Sequence, residues 1–276
     1  MSRPLRIYQI AEGYCYNSDS LFLWDFIRPH IRRGIRILDL GSGSGVVGLL
    51  CARDGGVELF GIDRQRAYAL LASKNALSNK IPATFIAGEA LELLKPTSLE
   101  CLIARPTGAS TLSLDTKSLW QSFDFVVSNP PFYSYDKPQN LNPLKAQAKQ
   151  SMYLPLELLL KSSRKILKPG GNLFLCYPAW RLCELAIQLG ALGFSLHALR
   201  FVHPRASSES KLLLAHARRQ SSQAQTQTRL LPPLLTHEGE KQDSYTKEVL
   251  DLYRRARAHS IKVSIDDILW DRILES

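Results

Sequence analysis

Four consecutive residues, Asn129-Pro130-Pro131-Phe132, put an amide, a rigid corner and an aromatic ring together. Neither proline can donate to a strand ladder, so the apolar run Phe123-Asp124-Phe125-Val126-Val127-Ser128 before them must stop there. Asn129 precedes a proline and is driven to an extended backbone, which holds its side chain at the end of that run. Such a corner suits a planar amine. The Asn129 side-chain oxygen and the Pro130 carbonyl can each accept one of its N–H bonds, leaving the nitrogen lone pair aimed at an electrophile. Phe132 can stack on the attached ring. No general base is required at the outset, because the proton can leave after the transfer. An ordinary strand followed by a proline turn would use the same residues, so the corner needs a partner elsewhere in the chain.

That partner lies upstream. Arg36-Ile37-Leu38-Asp39-Leu40 reads as a buried strand, Gly41-Ser42-Gly43-Ser44-Gly45 as the turn into a helix over 46–53, and 59–63 as a second strand closed by Asp63. Glycines let a ligand approach the backbone, and the helix N-terminus offers N–H donors. A carboxylate at the second strand end can accept bonds from both hydroxyls of a ribose. Gly43-Ser44-Gly45-Val46-Val47-Gly48 also spells the dinucleotide pattern G-x-G-x-x-G, with Asp63 at the expected distance. Two features oppose a dinucleotide: the glycines begin two residues late, and Asp39 sets a carboxylate where a pyrophosphate would approach. A cation suits Asp39 better. S-adenosylmethionine carries a sulfonium and an ammonium, and these residues favour it over NAD. Glu89, just past a third strand over 83–87, is a candidate acceptor for a cofactor adenine amine and reads equally well as an exposed loop acid.

Strands that alternate with helices over 66–79, 154–167 and 181–192 define an α/β fold with a parallel sheet. Residues 195–203 and 211–218 read as an antiparallel pair closing it. Residues 1–36 form an N-terminal extension, with Ser18-Asp19-Ser20 as the cap of a helix over 21–27. The core domain spans 37–219, with 95–121 expected as an inserted loop because Pro96, Pro106 and Gly108 interrupt any periodicity. Residues 133–150 are polar, and 219–228 are a polar linker. The C-terminal part, 220–276, continues with a helix over 245–258, expected to expose Arg254, Arg255 and Arg257, and an apolar tail over 265–274.

The chain has 276 residues and a net charge of +10, unevenly spread. Residues 137–168 hold seven Lys/Arg against Glu157, and 200–229 hold six against Glu209. Basic surface beside a base-sized pocket suits a phosphate backbone, so RNA is the expected partner. No run approaches the ~20 apolar residues of a membrane span, and Arg3, Arg6 and Glu12 break any leader-like segment. The five scattered cysteines read as reduced thiols of a cytoplasmic protein, and no His/Cys spacing suggests a metal.

The ordered series Gly13-Tyr14, Asp19-Ser20-Leu21, Ile37 to Gly45, Asn129 to Phe132, Leu167-Lys168-Pro169-Gly170-Gly171, Arg200-Phe201-Val202-His203-Pro204 and Tyr245-Thr246-Lys247-Glu248 resembles the bacterial tRNA adenine-N6 methyltransferase family. These enzymes modify the anticodon-adjacent adenine of a valine tRNA, and are class I S-adenosylmethionine-dependent methyltransferases with an N-P-P-[FYW] motif. The resemblance implies a Rossmann-like, mostly parallel seven-stranded sheet with an antiparallel C-terminal strand and helices on both faces. It implies that Asp39, Gly41, Gly43 and Gly45 line the amino-acid end of the cofactor, that Asp63 holds the ribose and Glu89 the adenine, and that Asn129 to Phe132 bind the target base. The chain departs from the family in the 95–121 insertion, the tail beyond 258, and Lys149-Gln150-Ser151 where Arg-His-Glu is usual. A ribosomal-RNA guanine-N2 methyltransferase, a protein glutamine-N5 methyltransferase and an idle RNA-binding module with the same fold stay open as alternatives.

Overall fold

The computed structural model describes residues 3–11, 13, 15–130, 154–221, 227–239 and 244–264. Buried strands that are apolar on both faces build the centre of one sheet. They are β2 (Arg36–Leu40), β3 (Glu58–Asp63), β4 (Ala83–Ala87), β7 (Phe123–Ser128) and β8 (Leu167–Pro178). All neighbours within this set run parallel. Antiparallel strands follow, β10 (Leu212–Arg219) inserting between β8 and β9 (Phe194–His203). The seven-stranded order β4-β3-β2-β7-β8-β10-β9 is the expected arrangement. The two-residue strands β11 (Arg229–Leu230) and β12 (Leu234–Leu235) add to the β9 edge.

Period-2 alternation sends neighbouring residues to opposite cores. Ile37, Leu59, Phe125 and Phe174 pack with helices α1 (Ser18–Ile27), α2 (Val46–Gly55), α3 (Arg66–Ser78) and α6 (Lys247–Ala256). Leu38, Phe60, Val126 and Leu175 pack with α4 (Leu156–Ile166) and α5 (Leu182–Ala191).

Three expectations need correction. Residues 98–115 are not a loop but a hairpin, β5 (Ser98–Arg105) and β6 (Gly108–Asp115), whose first strand pairs antiparallel with β4 and so extends the sheet. Its breakers sit at the ends rather than inside: Pro96 precedes β5, and Pro106 and Gly108 make the turn. The cap of α1 is Asn17, whose side chain accepts from the Asp19 amide at 3.1 Å, not the Ser18-Asp19-Ser20 group. Arg257 is half-buried at the left-handed end of α6, unlike the exposed Arg254 and Arg255. Residues 133–150, residues 222–226 of the 219–228 linker and the 265–274 tail lie outside the described residues.

The extension is more than a helix. Strand β1 (Leu5–Ile10) pairs in parallel with β13 (Ala258–Val263), about 250 residues away in the chain. On the other edge of β1, Asn75 on α3 and Asn79, which caps it, each give and accept one bond with the Tyr8 and Arg6 backbone at 2.7–3.0 Å. Two side-chain amides thus stand in for a strand.

His216 on β10 stacks on Phe174 at 4.5 Å, with Nε2 2.9 Å from the Asn172 Oδ1. Burial first, then His30, His197 and Arg218 nearby, push its pKa down from the usual 6.5 to about 3. Because the folded value is depressed, the unfolded chain takes the proton first, and stability is lost as pH falls below about 6.5. The expected loss is about 1.4 kcal/mol per pH unit. Urea unfolding at pH 7 and pH 5 checks it: His216→Phe should remove this share of the acid loss, and an unchanged acid loss would exonerate the imidazole.

Candidate active site

The sheet's strand order reverses between β2 and β7, which opens a crevice at their C-terminal ends where α/β folds bind ligands. One cleft there is lined by the ends of β2, β3, β4 and β7 and by α1. The turn after β2 is folded by its glycines: Gly41, Gly43 and Gly45 all have positive φ, from 52° to 78°, open to glycine at low cost. The Gly41 and Ser42 amides bond the Ile62 carbonyl at 2.9 and 3.0 Å, which ties the turn to β3.

Asp63 fixes the same turn from below. Its two oxygens accept the Gly43 amide at 2.8 Å and the Gln65 amide at 2.9 Å. Asp39 is 3 % exposed and accepts the Gly48 amide at 3.0 Å, so the N-terminus of α2 already has a carboxylate. A pyrophosphate would have to displace it, which supports the reading against a dinucleotide. Burial raises Asp39 to a pKa of about 7 and Asp63 to about 6, and the backbone bonds only partly oppose it. Both folded values are raised, so the stability linked to these protons is present below pH 4 and lost as pH rises through 6 to 7. A bound cation relieves that cost.

At the end of β7, the Ser128 hydroxyl bonds the Leu40 carbonyl at 2.6 Å and locks the two strand ends together. Asn129 lines the cleft, and its Nδ2 donates to the Ser20 Oγ of α1 at 3.1 Å. Pro130 is buried and lies off the lining. Pro131 and Phe132 lie outside the described residues.

Asp39, Gly41, Gly43, Asp63, Glu89 and Asn129 therefore meet in one cleft. Gly45 does not line it. A side chain there would press on Ala72 and Phe85, so its place is packing and φ. Glu89 lines the rim, half-exposed, and pairs with Arg64 at 2.9 Å. The cleft also holds Tyr16, Ser20, Ser42 and Gln65, which the sequence reading left out. The visible signals for Ser20 were its place before the apolar helix 21–27 and the Asp19-Ser20-Leu21 piece of the family resemblance. The Ser42 Oγ and Gln65 Oε1 are buried with no hydrogen-bond partner among the described residues. With two carboxylates beside them, the wall is rich in acceptors. That matches the donors of S-adenosylmethionine, its ammonium and ribose hydroxyls, together with its sulfonium charge.

Among the described residues the basic side chains do not form one face. Leu167 pairs with Phe123, the start of β7, so Arg164, Lys165 and Lys168 lie toward the sheet end opposite Asn129. Lys168 is held there by Asp124 at 2.7 Å, and Lys161, midway along α4, by Glu157 at 2.5 Å. Lys137, Lys145 and Lys149 lie outside the described residues. The loop after β9 sits on the Asn129 end and carries Arg205 and the exposed Lys211. Trp180, 73 % exposed, stands beside it, where the Ala179 amide bonds the Lys211 carbonyl at 3.1 Å.

The strand order, glycine turn and acceptor-rich cleft define a class I methyltransferase architecture, whose cofactor is S-adenosylmethionine. The chain belongs to the methyltransferase-domain family, which matches residues 31–245. It is 29% identical over 186 residues to a tRNA1(Val) (adenine(37)-N6)-methyltransferase of Porphyromonas gingivalis, covering 66% of this chain and 64% of that protein. The chain thus spans a little under two thirds of that relative's length. A release factor glutamine methyltransferase of Pasteurella multocida is 26% identical over 171 residues, 56% of this chain and 49% of that one. Among solved structures, a predicted O-methyltransferase of Agrobacterium tumefaciens superposes with a TM-score of 0.61 at 20% identity, over 89% of this chain and all of that one. This last likeness speaks to fold alone. Among the described residues, no helix is long and apolar enough to cross a membrane.

Proposed function

We propose that the chain methylates the exocyclic amine of a nucleobase, adenine N6 in a tRNA. The observation that carries this is the Asn129 amide, anchored at the end of β7 in the same cleft as Asp39 and Asp63. An exocyclic amine is a poor nucleophile because its lone pair is delocalised into the ring. Asn129 Oδ1 accepts one of its N–H bonds and helps free that lone pair, while Phe132 stacks on the base. When bound, S-adenosylmethionine supplies an electrophilic methyl group. Asp63 holds its ribose, Glu89 its adenine, and Asp39, Gly41 and Gly43 its amino-acid end. The similarity to tRNA adenine-N6 enzymes supports the choice of substrate.

A second reading, transfer to a glutamine side chain, is favoured by the similarity to release factor glutamine methyltransferases, since a carboxamide presents a like NH2. Charge separates the two. Arg205, Lys211 and Trp180 on the Asn129 end suit phosphate contacts and base stacking. Incubating the protein with labelled S-adenosylmethionine and an unmodified valine-tRNA transcript, ribosomal RNA or a release factor, followed by nucleoside and peptide mass spectrometry, tests the proposal. N6-methyladenosine in the tRNA is the expected product. Methylguanosine in ribosomal RNA, or methylglutamine alone, overturns it. RNA affinity should fall steeply with salt, and Lys211→Ala should lower the log–log salt slope by about 1.

A further inference from the structure

We infer that Ser20 is a positioning residue for the transfer: by accepting a hydrogen bond from Asn129 Nδ2 it turns the Asn129 amide oxygen toward the cleft. The inference rests on the proposal that Asn129 receives the target amine. The two ends of a carboxamide have nearly the same size, so packing alone cannot choose which one faces a ligand. With its NH2 toward the cleft, Asn129 would present donors to a donor and accept nothing. The direction follows from the bond at the other end: Nδ2 donates to the Ser20 Oγ at 3.1 Å, on a residue 4 % exposed, which leaves Oδ1 for the cleft.

Ser20 is placed by elements outside the span of the family match, residues 31–245. The start of α1 is tied to α6 by Ser18 Oγ and Tyr253 OH at 2.8 Å, and further along Asp25 pairs with Arg255 at 3.0 Å. Trp24 Nε1 bonds Asp54 on α2 at 3.1 Å. The loop before α1 is held by Gln9 of β1, whose Oε1 accepts the Tyr16 amide at 2.7 Å, and β1 is held by β13. β1, α1, α6 and β13 thus close into a clasp on the domain, and the clasp reaches into the cleft through Tyr16 and Ser20. A hydroxyl supplied from there sets the direction of the Asn129 amide.

Ser20→Ala keeps a residue at home in a buried helix, so the fold should hold. Single-turnover methyl transfer to an unmodified valine-tRNA transcript is measured for wild type, Ser20→Ala, Asn129→Ala and the double variant, with S-adenosylmethionine affinity by calorimetry. Ser20→Ala should slow transfer about tenfold, the loss of one neutral hydrogen bond, with cofactor affinity unchanged. On the Asn129→Ala background it should add nothing, because it acts through that amide. Equal losses on both backgrounds, or a wild-type rate in Ser20→Ala beside a slow Asn129→Ala, overturn the inference and leave the proposed function standing. No transfer by wild type, or a fast Asn129→Ala, strikes the proposed function instead. A substrate-free measurement then decides Ser20: the side-chain 15NH2 signals of Asn129, assigned by their loss in Asn129→Ala. Their protons should exchange faster in Ser20→Ala, and unchanged exchange overturns the inference.

Discussion

Asn129→Ala is expected to lower single-turnover methyl transfer by about 10²–10³, the usual cost of one preorganised polar contact at a reacting centre. S-adenosylmethionine affinity should hardly change, because the cofactor groups assigned above lie on the ends of β2, β3 and β4, while Asn129 ends β7. The local fold should survive too. Asn129 is only partly buried, and the β2–β7 junction is held by Ser128 and the Leu40 carbonyl, not by the amide. Parallel losses of cofactor affinity and turnover would mean that the corner is structural. A turnover close to wild type would dispose of the proposed chemistry.

The centre of the fold was legible because buried parallel strands are continuous apolar runs, each broken by a residue that cannot continue it. Gly41 after β2, Asp63 at the end of β3 and Asn129-Pro130 after β7 are such stops, and they are also the cleft. What was not legible depends on partners distant in sequence. The run Ser98–Arg105 mixes apolar and charged residues, and its strand identity comes from the β4 edge it completes. Strand β1 needs β13, Asn75 and Asn79, none of them close to it in the chain. Ser20 meets Asn129 across 109 residues.

Charge counting meets a different limit. A tally along residues 154–168 cannot say at which end of β7 the charges fall, and the strand direction of β8 puts Arg164, Lys165 and Lys168 opposite Asn129. Asp39 shows the finer limit. Its position near the end of β2 marks it as a ligand-facing carboxylate, yet one oxygen is engaged on the Gly48 amide. Its charge reaches the cleft, but its first bond is to its own helix. Gly45 likewise matches a cofactor pattern by spelling while serving the contact with Ala72 and Phe85.

Asp63→Ala is expected to lower S-adenosylmethionine affinity about a hundredfold. Two ribose hydroxyls would lose a charged acceptor, each bond contributing about 1.5 kcal/mol, and about 1.4 kcal/mol corresponds to a factor of ten. The same substitution strips the Gly43 and Gln65 amides of their partner, so the glycine turn loses the tie that fixes its shape. Water entering from the cleft can reach both amides, which keeps the stability loss to about 1–2 kcal/mol. Asp63→Asn separates the two roles. Its oxygen can keep one backbone bond, but its NH2 must face the other N–H, so the turn is half-tied and the ribose keeps one neutral acceptor. Affinity should then fall only about tenfold. Calorimetry on folded protein, with unfolding midpoints measured in parallel, gives both quantities. Wild-type affinity in Asp63→Ala, or binding of NAD in place of S-adenosylmethionine, would refute the assignment of the ribose to β3. A loss that follows stability and not the number of acceptors would reduce Asp63 to a support of the turn.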